Sequence, residues 1–176
     1  LSTTCIGSAW ALHGLWAAPW LKDVERLDQS AVVQRLFAMA VVACAGALVL
    51  GLGADRWRKR WRRLDILLTI IATVFIAAEF ALALRWPIPS GVLWGIVAGI
   101  GAATVLSFAM LAEHFPKEIA GQANAALNLL HVGGAFLLQF GIGLVIGQWT
   151  AAAGHYPPDA YQAAFEIIMA LQIAAL

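Results

Sequence analysis

Side chains able to do chemistry are few here, and most sit inside apolar runs. His13 lies three residues after Trp10. In a helix that spacing puts both on one face, an aromatic ring beside a ring that titrates near neutrality. Asn124, Asn128, His131 and Gln139 form a second polar stripe, at separations of four, three and eight residues, near one helical face. Such groups are costly in hydrocarbon unless they meet a partner or water, so each stripe reads either as interhelical hydrogen bonding or as contact with a solute or proton. Glu79 is the one acid deep in an apolar run, and pairing within a bundle is the expected role. The remaining histidines, His114 and His155, complete no ligand pair on neighbouring turns. No His-Glu-x-x-His, Gly-x-Ser-x-Gly or phosphate-binding glycine loop occurs, so neither a metal site nor a cofactor is expected.

The elements that must position these groups are membrane helices. Of 176 residues, 62% are hydrophobic and 12% charged, and mean hydropathy is +0.82. A soluble domain carries about twice that charge. Six segments approach the roughly 20 apolar residues a helix needs to span the bilayer core. They run from Leu1 to Leu21, Ala31 to Gly53, Ile66 to Trp86, Ser90 to Ala112, Gly121 to Trp149 and Tyr161 to Leu176. The expected class is an all-α integral membrane bundle, because lipid satisfies no exposed backbone group and the short alternating segments of a barrel are missing. Leu1 is not a Met and the last run stops while still apolar, so both ends are expected to be cuts through a longer chain. Cys5 and Cys44 lie in apolar runs and are expected to be small buried hydrophobes.

Polar connectors separate the runs. Lys22 to Ser30 is mixed in sign, and residues 54–65 are expected to form a loop holding Arg56, Arg58, Lys59, Arg60, Arg62 and Arg63. Pro87 and Pro89 break the chain, with Ser90 as the expected N-cap of the fourth span. The Lys/Arg bias makes the basic loop cytoplasmic in a plasma or inner membrane, with the first span entering from that side. Trp16, Trp20, Trp86 and Trp149 then fall at outer ends and Trp57 and Trp61 in the basic inner loop, with Trp94 in the outer half of its span, as an expected interfacial belt. Gly91, Gly95 and Gly99 repeat every four residues, and Gly143 and Gly147 form a similar pair, giving smooth strips for close helix packing.

One stretch carries a recognisable order. Gly51, Asp55, Arg56, Lys59 and Arg60 follow a Gly-x-x-x-Asp-Arg pattern with a basic tail. The chain here resembles the major facilitator superfamily, whose signature loop follows the second and, more weakly, the eighth span; Arg58 stands where the family has a second glycine. Glu113 to Ala125 looks like that family's turn between its tenth and eleventh spans. The resemblance implies a six-span half of a twelve-helix transporter, covering spans seven to twelve with the last truncated. It also implies secondary active transport of a small solute by alternating access, proton coupling being one option. On that scheme Gly51, Asp55, Arg56, Lys59 and Arg60 are gating candidates, and Trp10, His13, Asn128, His131 and Gln139 are candidates for the solute or proton pathway. The first, second, fourth and fifth spans would face the cavity or the other half, and the third and sixth would face lipid. The implied partners are a small-molecule solute, the bilayer and an N-terminal half or second copy, with no nucleic acid and no enzymatic reaction. A non-transporting assembly subunit and, further off, a membrane-embedded enzyme stay open.

Overall fold

The computed structural model describes residues 7–8, 11–61 and 64–175. The described residues are almost entirely helical. A π-helical turn, Leu12–Trp16, runs into α1, Ala17–Asp23. Then come α2, Gln29–Trp61; α3, Leu64–Ala83; α4, Ser90–Gly101; α5, Thr104–His114; α6, Lys117–Ile146; and α7, Pro158–Ala175. Among the described residues, four stretches are long and apolar enough to cross a membrane: Gln29–Trp57, Asp65–Ala83, Ser90–Leu111 and Lys117–Ile146.

Local sequence explains the breaks. Pro19 has no N–H for the carbonyl of Leu15, and its ring crowds that carbonyl. The helix widens just upstream, where the Ala17 N–H reaches back to Leu12. In the fourth span, Gly99 and Gly101 flank a tight turn in which Ala102 bonds Gly99 and Ala103 bonds Ile100, separating α4 from α5. The α3 terminus closes as a Schellman motif: Trp86 N–H bonds the Ala81 carbonyl, Arg85 N–H bonds that of Leu82, and Arg85 takes φ 52°. Pro116 and Pro158 open α6 and α7, where a missing N–H removes no helical bond. Ser90 is the first residue of α4 and Pro89 is its N-cap, without a side-chain bond. The fixed φ of Pro89 sets the helix entry in place of the expected serine cap.

The lengths repeat. An interrupted span is followed by a long helix and a shorter one: 33 and 20 residues for α2 and α3, then 30 and 18 for α6 and α7. The main core gathers where α1, α3, α4 and α7 meet. Trp94 is its centre, edge-on to Trp20 at 5.6 Å and to Phe165 at 6.4 Å. Trp20 and Trp94 are 4% and 1% exposed, so these two belong to the core and not to an interfacial belt. Shape decides this: edge-to-face stacking of three large rings outweighs the amphipathic preference of an indole. A smaller cluster of Ala54, Ile71, Ala103 and Leu106 ties the end of α2 to α3 and α5.

Burial is uneven. Half of the most apolar window of α3 is buried, against 22% for α6 and 6% for α2. Phe37, Leu48 and Val49 of α2 and Leu129, Phe136 and Leu137 of α6 are exposed. α2 and α6 therefore present uncovered apolar faces. α3 and α7, expected to look outward, pack on one another, and Cys44 lies exposed on α2 and not buried as expected. Cys5 is outside the described residues.

Candidate functional site

The widened turn and α6 shape the cavity that best fits a solute path. Gly7 lets the start of the first span approach α6: a Cβ there would lie 3.3 Å from the Ala135 nitrogen and 3.6 Å from the His131 carbonyl. Further along, the Trp16 indole N–H donates to the Gln139 carbonyl at 3.2 Å. The same ring sits where a Cβ on Gly143 would meet it at 3.4 Å. Between these two contacts an open space separates the π-turn from α6. The space has a volume of about 480 Å³ and is lined by His13, Gly14, Val132, Ala135, Phe136 and Gln139.

Two sequence candidates, His13 and Gln139, thus share one cavity. Both are half-buried, a donor and acceptor pair on an otherwise apolar wall. His131 lies off its lining, 0% exposed, with its ring edge-on to Phe108 of α5 at 5.7 Å and, among the described residues, no hydrogen-bond partner for either ring nitrogen. Asn128 is exposed on α6 and does not line the cavity. Trp10 lies outside the described residues.

The basic motif is wound into helix for most of its length. Gly51, Asp55, Arg56, Lys59 and Arg60 form the last turns of α2. The Arg56 guanidinium folds back to the Leu52 carbonyl at 3.3 Å. A Cβ at Gly51 would meet open space. Arg62 and Arg63 are outside the described residues.

Of the packing glycines, Gly99 touches most closely. A Cβ on the facing Gly46 would be 2.7 Å from the Gly99 carbonyl oxygen, so α2 and α4 cross backbone to backbone there. Gly95 faces Val42 and Gly91 faces the Arg35 side chain. Gly147 is the C-cap of α6, and the nearest atoms to its would-be Cβ are carbonyls of that same helix.

Two polar clusters join positions far apart in sequence. Glu79 on α3 and Gln172 on α7 are both fully buried, and the Gln172 amide donates to Glu79 Oε2 at 2.7 Å. Where α1 ends, Asp23 accepts from the Tyr161 hydroxyl at 2.6 Å and from the Tyr156 N–H at 3.3 Å. His155 Nδ1 lies 2.8 Å from the other carboxylate oxygen. The sequence assigned no role to Asp23 or Tyr161 and set His155 aside as completing no ligand pair. The usable signal was an acid, Asp23, at the junction of an apolar run and a mixed-charge connector. Among the described residues, no three His, Cys, Asp or Glu side chains gather as a metal site would require.

The sequence model of the Major Facilitator Superfamily fits residues 1–139. No curated protein and no solved structure matches the chain.

Proposed function

Because the chain belongs to the Major Facilitator Superfamily, we propose that it forms one six-span half of a secondary transporter that moves a small solute by alternating access across a plasma or inner membrane. The observation that carries this reading is the cavity between the widened first span and α6, where His13 and Gln139 meet on an apolar wall. A pathway needs a few convergent polar groups at membrane depth, and these two line an open space on an apolar wall. His13 and Gln139 contact the solute, and His131, reached only when the helices part, is the proton-coupling candidate. The uncovered faces of α2 and α6 meet the other half, supplied by the same longer chain or by a second copy. Gly51, Asp55, Arg56, Lys59 and Arg60 sit at the cytoplasmic end of α2, where the basic residues hold to anionic lipid and Asp55 approaches the facing half. Rocking of the halves opens the cavity to each side in turn.

Accessibility tests this without knowing the solute. In the full chain lacking Cys5 and Cys44, reconstituted in vesicles, His13→Cys and Gln139→Cys should react with a membrane-impermeant maleimide. Leu171→Cys, exposed on α7, should not. Failure of both pathway positions to react would remove the water-filled path. Polypeptide mass in the native membrane then identifies the facing half: about twice the 18.8 kDa of this chain means one longer polypeptide, and about the same mass means a second copy.

A further inference from the structure

The seam between α2 and α4 holds a second space that the solute path does not use. At one end, a cavity of about 50 Å³ is lined by Arg35, Val42, Gly91, Trp94 and Gly95, with Leu21, Ala38 and Met39. Through Val42, Gly91 and Gly95 it continues into an open groove of about 490 Å³ that follows the two helices past Gly99. Glycine makes this room. A Cβ on Gly91 would collide with the Arg35 guanidinium, and a Cβ on Gly95 would project toward Val42.

Two donors line this end without a partner among the described residues, a buried indole and an exposed guanidinium. Trp94 is 1% exposed and, among the described residues, nothing accepts from its indole N–H. Among the described residues none hydrogen-bonds or ion-pairs with the Arg35 guanidinium. Neither lining contains a carboxylate. A cation and an N–H donor at the head of a long apolar groove are complementary to a molecule with an anionic head and a hydrocarbon tail. A neutral lipid would leave the guanidinium without a counter-charge, and a small soluble anion would leave the groove unfilled.

We propose that this seam binds an anionic phospholipid of the bilayer, its phosphate against Arg35 and Trp94 and one acyl chain along the groove. Guanidinium matches phosphate geometry with a pair of parallel hydrogen bonds, which an ammonium cannot reproduce. The lipid would fill the gap between α2 and α4 and hold their crossing angle.

Native mass spectrometry of the purified full chain tests it, with phosphatidylglycerol and phosphatidylcholine of identical acyl chains as probes. The unaltered protein should retain phosphatidylglycerol in preference by roughly tenfold. Arg35→Gln should abolish the preference, and Arg35→Lys should keep only part of it. Gly95→Leu should remove the bound lipid of either kind by filling the groove. If that variant does not fold, Gly95→Ala takes its place, since its Cβ would meet Val42 at an ordinary 3.9 Å, and it should weaken retention. Equal retention of both lipids by the unaltered protein, or an undiminished preference in Arg35→Gln, would overturn the proposal. Displacement of the lipid by millimolar inorganic phosphate would do so too, because it would mark a site for a soluble anion.

Discussion

The Glu79–Gln172 pair offers the sharpest test of how this bundle is held together. Both side chains are 0% exposed, and the single bond between them spans α3 and α7. Glu79 Oε1 and Gln172 Oε1 each lack a donor. Replacing Gln172 by Leu strands the acid, and replacing Glu79 by Leu strands the amide. Each should cost roughly 1–3 kcal/mol, the desolvation penalty of a buried group left unpaired. The double replacement removes both groups and should be close to neutral, so the cycle should show coupling on the order of 1 kcal/mol or more. Membrane hydrogen bonds measured this way average about 0.6 kcal/mol, so a value above that means the pair is unusually dry. Glu79→Gln should be milder than Glu79→Leu, because its NH2 takes the place of the stranded Glu79 oxygen and can donate to Gln172 Oε1 while its carbonyl still accepts from Gln172. The assay is thermal unfolding of the full chain in detergent, where about 2 kcal/mol corresponds to roughly 4–8 °C in a protein of this size. Additive single effects, with no recovery in the double variant, would refute the claim that the two side chains stabilise each other.

Other consequences follow from the same geometry. Gly46→Ala would place a Cβ 2.7 Å from the Gly99 carbonyl oxygen; it should cost about 1–3 kcal/mol through overpacking of backbone that cannot step aside. Gly51→Ala, which meets open space, should instead stabilise α2 by about 0.5–1 kcal/mol, and equal effects of the two in one unfolding assay would contradict the crossing point. Asp23→Ala should lower stability by about 1–3 kcal/mol, because the Tyr161 hydroxyl, 1% exposed, loses its acceptor; Asp23→Asn should recover part of that. Asp28 caps α2, accepting from the Ala31 N–H at 2.7 Å and the Ser30 hydroxyl at 3.0 Å. The Ala31 N–H first, then the Ser30 hydroxyl, hold its carboxyl below the ordinary value. Its contribution is present above the unfolded-state value and lost as pH falls through the lower folded one. An acid titration of Asp28→Asn, whose cap does not titrate, should lack that step, and identical acid profiles would rule it out.

Much of the fold was legible along the chain because hydrocarbon is an unforgiving solvent for a backbone. Long apolar runs had to be helices, although the last two begin a few residues earlier than the apolar runs, at Lys117 and Pro158, where proline sets the entry. The order Gly51, Asp55, Arg56, Lys59, Arg60 pointed to the superfamily that the match over residues 1–139 bears out. The site was legible only in fragments. Periodicity placed His131 and Gln139 near one face of a helix, yet the structure sets Gln139 on the cavity and His131 off its lining. A helix rotated by a few tens of degrees keeps the same sequence pattern and exchanges those two roles.

What the sequence determined by itself is the class of molecule: a membrane-spanning helical bundle, broken where proline and glycine break it, with its positive charge gathered at one end of α2. Tertiary structure alone decided which buried groups meet. Trp94 became the centre of the core and not part of a belt. Glu79 found Gln172, and Asp23 found His155 and Tyr161. The physical reason is range. Solvent quality and backbone hydrogen bonding act residue by residue and leave a periodic trace. Packing and buried polar pairing act between surfaces brought together from distant parts of the chain, and leave none.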